Sequence, residues 1–170
     1  MLGLALVLGG SAALHPAAAG RGVGPPPRHP LLADALWLET DLAWERHDAA
    51  LTRCLIGLTL AVDPEADYFR LNGARMLAYD LPEWAGREAA RETAAVRAHR
   101  RKRAAEEALA LLARGLPRQP NSIALQLEMG NICLYGLGDA ARAAKHYRLV
   151  AAQENAPAFA SRICRRLSER

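Results

Sequence analysis

The sequence predicts an all-α protein built of stacked helix hairpins, and three observations carry that prediction. Apolar residues make up 51% of the chain but aromatics only 5%. Much of the apolar share is alanine, the best helix former. β-branched and aromatic residues are too scarce to build a sheet. The second observation is a recurring trio: Trp37, Asp41, Trp44; then Phe69, Gly73, Met76; then Gln126, Gly130, Cys133. Spacings of four and three put each trio on one helix face. Thirdly, each trio leads into a turn, an Ala/Leu-rich second helix, and a proline at Pro64, Pro120 or Pro157. One hairpin cannot bury its apolar face alone, so repeated hairpins must stack.

Residues 1–14, MLGLALVLGGSAAL, are apolar or small throughout, and Ala17-Ala18-Ala19 supplies small residues before a cleavage point. Residues 1–19 are therefore expected to be a signal peptide or an N-terminal membrane anchor. No Lys or Arg precedes the apolar run, and the run falls short of the about 20 residues that a membrane span needs. The expected location is exported, periplasmic or anchored in the inner membrane of a bacterial envelope, with a cytoplasmic location as the alternative. Residues 20–30, GRGVGPPPRHP, form a Gly/Pro linker. The folded body is expected over 31–170.

Residues 34–64 are the first copy of the hairpin, with His47-Asp48 at its turn. Trp37 and Trp44 share a stripe and are expected in the core. Residues 66–120 are a split copy, with YFRLNGARMLAYD as first helix and AAEEALALLARGLPRQP as second. Between them lies an insertion at about 81–103. Its segment 87–103 holds seven Arg/Lys against two Glu, so it exceeds the +4 net charge of the whole chain. The basic character is one local feature. Trp84 is expected to staple the insertion back onto RLNGARMLAYD. Residues 157–170 read as the first helix of a further, incomplete repeat or as a C-terminal cap.

The last full copy, SIALQLEMGNICLYGLGDAARAAKHYRLVAAQENAP, resembles a tetratricopeptide repeat. Gly130 stands at the small position of the first helix, Gly138-Asp139 at the turn, Ala143 and Tyr147 on the second helix, and Pro157 at the close. Two positions depart from the pattern: Gln126 stands where the family favours tryptophan, and Asp41 replaces a small residue in the first copy. The resemblance implies a right-handed α-solenoid of about three hairpins plus a C-terminal capping helix. It also implies a non-enzymatic scaffold whose first helices line a concave groove for a peptide or helix of a partner protein. Carried over by position, the groove residues are Arg70, Ala74 and Leu77 in the second copy, and Leu127, Asn131 and Leu134 in the third. Leu127 stands where a carboxylate clamp would need a basic residue, so an apolar partner surface is expected.

Other chemistries compete with packing as readings of the same residues. Cys133 and His146 are a nucleophile and a base in type, but thiol activation needs the base within hydrogen-bond reach. On a hairpin the pair points apart, and a buried cysteine is commonly a small hydrophobe. Gly136 and Gly138 flank a turn and lack the Lys-Ser/Thr of a phosphate loop. The arginine-rich run, Arg97, Arg100, Arg101, Lys102 and Arg103, offers nucleic-acid or anionic-surface binding as the alternative function. Without interleaved aromatics it reads first as a solvated helix face. The wide spacing of Cys54, Cys133 and Cys164 suggests three packed thiols, with one bridge between Cys133 and Cys164 as the alternative in an exported protein. No catalytic residue, metal ligand or cofactor is assigned, and a Cys-dependent enzyme is the remotest alternative.

Overall fold

Side-chain caps mark where the helices start. The Asp48, Thr93, Ser122 and Asp139 side chains accept the amide N–H groups of Leu51, Val96, Leu125 and Arg142. Each satisfies one of the N–H groups that a helix N-terminus leaves without a partner. The structure, a computed structural model, describes residues 28–88 and 92–169. The expected signal or anchor segment and most of the linker lie outside them. Among the described residues every regular element is helical: α1 Pro30–Glu45, α2 Ala49–Val62, α3 Asp67–Arg75, α4 Leu81–Glu88, α5 Ala94–Ala113, α6 Ile123–Asn131, α7 Ala140–Ala151 and α8 Ala158–Ser168. Two π-helical segments, Met76–Asp80 and Ile132–Gly136, continue directly from α3 and α6. The chain is all-α over these residues, and no helix among them is long and apolar enough to cross a membrane.

Neighbours in sequence pack as hairpins: α1 on α2, the α3–α4 run on α5, α6 on α7, and α8 on α7. Successive hairpins touch through α2 and α3, through α5 with α6, through α3 with α6, and through the two π segments. One apolar core runs through them all, from Ala33 and Trp37 to Ala143 and Tyr147. Gly73 and Gly130 each let a first helix come close to a neighbouring helix. A Cβ on Gly73 would stand 2.7 Å from Cγ2 of Ile56 on α2, and one on Gly130 would stand 3.2 Å from the Tyr147 ring on α7. Ile56 is 1% exposed and cannot swing aside. Gly73→Ala should therefore cost about 1–3 kcal/mol of stability through overpacking, read from the urea midpoint. A smaller loss would show that α2 and α3 can part without cost.

The insertion takes a form that the sequence pattern does not suggest. It lengthens both arms of the second hairpin instead of forming an element of its own. The first arm passes from α3 through the π segment into α4 without a break. Pro82 explains why this path needs a π turn. A proline has no N–H for the helix ladder and clashes with the carbonyl four residues back. Widening the turn so that Leu81 N–H donates to Met76 O, five residues back, lets the helix continue past it. Leu81 and Trp84 are then buried. The second arm is α5, held to α4 by Arg100 donating to Pro82 O at 2.8 Å and Arg101 donating to Glu83 at 2.7 Å.

Four expectations about side chains are corrected. Trp37 is buried against Phe69, with ring centroids 5.1 Å apart, but Trp44 is exposed. Trp84, expected against RLNGARMLAYD, has its ring contacts on the first hairpin, with centroids 4.9 Å from His47 and 6.1 Å from Trp44. Cys54 is exposed, whereas Cys133 is fully buried and Cys164 half-buried. Arg70, Ala74 and Leu77 do not line an open groove: they are 3%, 0% and 3% exposed. The reason is that α3 is covered by α2 on one side and by α5 and α6 on others, which leaves only a narrow stripe of it free.

Candidate functional site

That free stripe is Tyr68, Asn72, Arg75, Tyr79 and Asp80, and it forms the floor of a groove. On one side α1 supplies Trp37, Asp41, Trp44 and Glu45, enclosing about 390 Å³. On the other, α6 and its π segment supply Glu128, Asn131 and Tyr135, enclosing about 370 Å³. The two spaces meet at Arg75 and Asp80. Tyr135 also borders a third, more apolar space between Leu134 and the α8 residues Ile163, Arg166 and Leu167. Of the six groove residues expected from the sequence, Asn131 and Leu134 line these spaces, Leu127 packs half-buried against the core, and the other three are internal.

The groove is built from aromatics and carboxylates. Trp44, Tyr68 and Tyr135 are 38%, 65% and 71% exposed. Asp80 accepts the Trp44 indole N–H at 3.0 Å, which fixes that ring across the α1–α3 boundary. Arg75, the one cation among the residues lining the first two spaces, donates to Glu128 Oε2 through Nε at 2.9 Å and Nη2 at 2.8 Å. Burial and the neighbouring Glu45 push the Asp41 carboxyl above its ordinary range. Burial, with Glu128 nearby, pushes the Tyr79 hydroxyl up to about 12. The Tyr147 hydroxyl donates to Asn131 Oδ1 at 2.7 Å, so α7 holds the Asn131 side chain from beneath.

The groove positions carried over from the family miss this stripe because they fall one residue after each member of the trio, on the side of α3 that α2, α5 and α6 cover. A clue was nevertheless present in the second copy. Tyr68, Asn72 and Arg75 stand one residue before each member of the trio, opposite in sense to the offset expected for the groove.

The cluster that looked most like a catalytic site does not assemble as one. Burial pushes the Cys133 thiol up, and the charged groups acting on it are Arg142, Asp139 and Glu106. The His146 Nδ1–H donates instead to Gln126 Oε1 at 2.8 Å. Gly138, at φ +67°, takes a left-handed conformation that favours glycine, and Asp139 caps α7 as expected. Burial first, then Arg142 and Lys145, hold the His146 imidazole below the ordinary value of 6.5. Below that value the unfolded chain therefore binds more protons than the folded one, so stability is full above it and falls with falling pH. His146→Gln should reduce the loss of urea stability between about pH 7 and about pH 5 relative to the parent protein. An unchanged loss would assign the acid sensitivity elsewhere.

The basic run of α5 is partly engaged. Arg100 pairs with Glu92 as well as bonding Pro82, and Arg101 pairs with Glu83. Arg97 donates to the Glu92 carbonyl, while Lys102 and Arg103 stay exposed. Arg103 and His99 border a cleft of about 680 Å³ between α2, α4 and α5, where Arg53 is bonded to Glu107 at 2.9 Å. No protein-family model matches this chain, and no curated protein matches it.

Proposed function

We propose that the protein is a non-enzymatic interaction scaffold: tetratricopeptide-like hairpins stacked as an α-solenoid, with the face formed by α1, α3 and α6 holding a segment of a partner protein. The observation that carries this reading is the groove itself. Three well-exposed aromatics, Trp44, Tyr68 and Tyr135, lie along it on three successive first helices. Exposed aromatics gathered on one face mark interaction sites more often than scattered ones do. The pairing of each first helix with its second, and of each hairpin with the next, supports a stacked arrangement. The exported location expected from residues 1–19 belongs to the same reading, and fractionation of cells expressing tagged protein tests it.

Binding is tested by capturing partners with the parent protein and with Trp44→Ala/Tyr135→Ala. The reading expects specific partners to be lost from the double variant and kept by a Lys102→Gln/Arg103→Gln variant. The reverse pattern would favour anionic binding through α5.

A further inference from the structure

We propose that the segment held in this groove is cationic: a Lys- or Arg-rich stretch of polypeptide whose aliphatic stems lie on Trp44, Tyr68 and Tyr135 while its charged ends meet Asp41, Glu45 and Asp80. This rests on the groove being the binding face. Its first support is charge. The chain's +4 is concentrated in one basic segment, residues 87–103, whose local field repels a cationic polypeptide. The sign reverses at the groove: four carboxylates face one cation among the lining residues of the two central spaces. Arg75 is already engaged by Glu128, whose side chain is 5% exposed. Asp41, Glu45 and Asp80 then have no cation among the described residues.

The second support is the company those carboxylates keep. Lys and Arg side chains lay apolar stems on aromatic faces and gain cation–π attraction from them. Other occupants fit worse. An acidic segment would meet like charge. A purely apolar helix would bury Asp41 and Glu45 with nothing to pair them, which opposes the gain from covering the rings. This departs from the apolar partner expected from the sequence.

The crowding of Asp41 by Glu45 points the same way, since an incoming cation relieves it. The run of connected spaces from α1 to α8 suits an extended polypeptide better than a small ion. It also sets a polarity, with cationic residues toward α1 and apolar ones toward Leu134, Ile163 and Leu167.

The test uses the full chain and fluorescence anisotropy with three labelled peptides of one length, rich in Arg and Leu, Gln and Leu, or Glu and Leu. The Arg/Leu peptide should bind at least about tenfold tighter than the Gln/Leu peptide, with affinity falling as salt rises. Asp41→Asn/Glu45→Gln should weaken it by about five- to thirtyfold. Glu154→Gln, an exposed carboxylate in the α7–α8 loop, should leave it unchanged, and circular dichroism checks that each variant folds.

Equal or tighter binding of the Gln/Leu or Glu/Leu peptide, still lost in Trp44→Ala, overturns the cationic partner and leaves the groove standing. Arg/Leu binding untouched by both Asp41→Asn/Glu45→Gln and Trp44→Ala overturns the groove as well. Concentration-dependent self-association that disappears in Asp41→Asn/Glu45→Gln would make the occupant the basic α5 of a second copy, and overturns the separate partner.

Discussion

Tyr147→Ala should remove about 3–5 kcal/mol of unfolding free energy, the range for truncating a large aromatic in a tight core. Tyr147 is the largest side chain that is fully buried, and its ring closes against Gly130 of α6. An alanine there leaves a ring-sized void at the joint between the third hairpin's helices. The hydroxyl is the smaller part of its contribution. Tyr147→Phe should lose about 1 kcal/mol with the bond to Asn131, the usual net worth of such a bond. Urea unfolding at one pH separates the two variants. If Tyr147→Ala lost no more than Tyr147→Phe, the joint would be able to collapse around the void, and the packing account of the Gly130–Tyr147 contact would be wrong. Because small domains are stable by only about 5–15 kcal/mol, Tyr147→Ala should also expose the chain to proteolysis.

The second large effect is expected at Arg70. Its guanidinium is buried among main-chain acceptors: Nη1 donates to Leu111 O at 3.2 Å, and Nη2 donates to Pro64 O. Leu111 lies in the last turn of α5, where carbonyls have no partner within the helix. A cation there also meets the negative end of the helix dipole. One side chain of α3 thus ties down the end of α5 and the α2–α3 loop together, and Gly115 makes room for it: a Cβ there would stand 2.8 Å from Arg70 Cδ. Burial opposes this arrangement and lowers the Arg70 pKa.

Arg70→Met keeps most of the volume and removes both donors. Leaving two buried carbonyls unsatisfied should cost about 2–4 kcal/mol, more than is regained by no longer desolvating one charge. Arg70→Lys should recover only part of it, because a point charge cannot span two acceptors as the planar fork does. A stable Arg70→Met would reverse that balance.

Much of the architecture was legible in residue order. Alanine-rich composition and the three trios pointed to an all-α chain of hairpins, and those hairpins form at Trp37, Gly73 and Gly130. Asp48 and Asp139 cap the helices that their turn positions suggested. Local rules suffice for these features, because a cap or a one-turn spacing involves only residues a few places apart. The separation of Cys133 from His146 was legible for the same reason: both positions are set by helical geometry within one hairpin.

The groove was not legible in that way. Its floor depends on which side of α3 is left over after α2, α5 and α6 have packed against it, and no local pattern records that. Arg70 illustrates the failure. As a charged residue one place after a core position it reads as surface, yet acceptors 41 and 6 residues away draw it inward. The insertion is a parallel case. Leu81-Pro82 reads as the end of a helix, but a π turn carries the chain through it and brings Trp84 to the first hairpin. Composition and spacing established which helices form and how they pair, because those are short-range preferences summed along the chain. Which faces stay open, and with what charge, came from packing between distant segments, where burial and long-range hydrogen bonds outweigh local propensity.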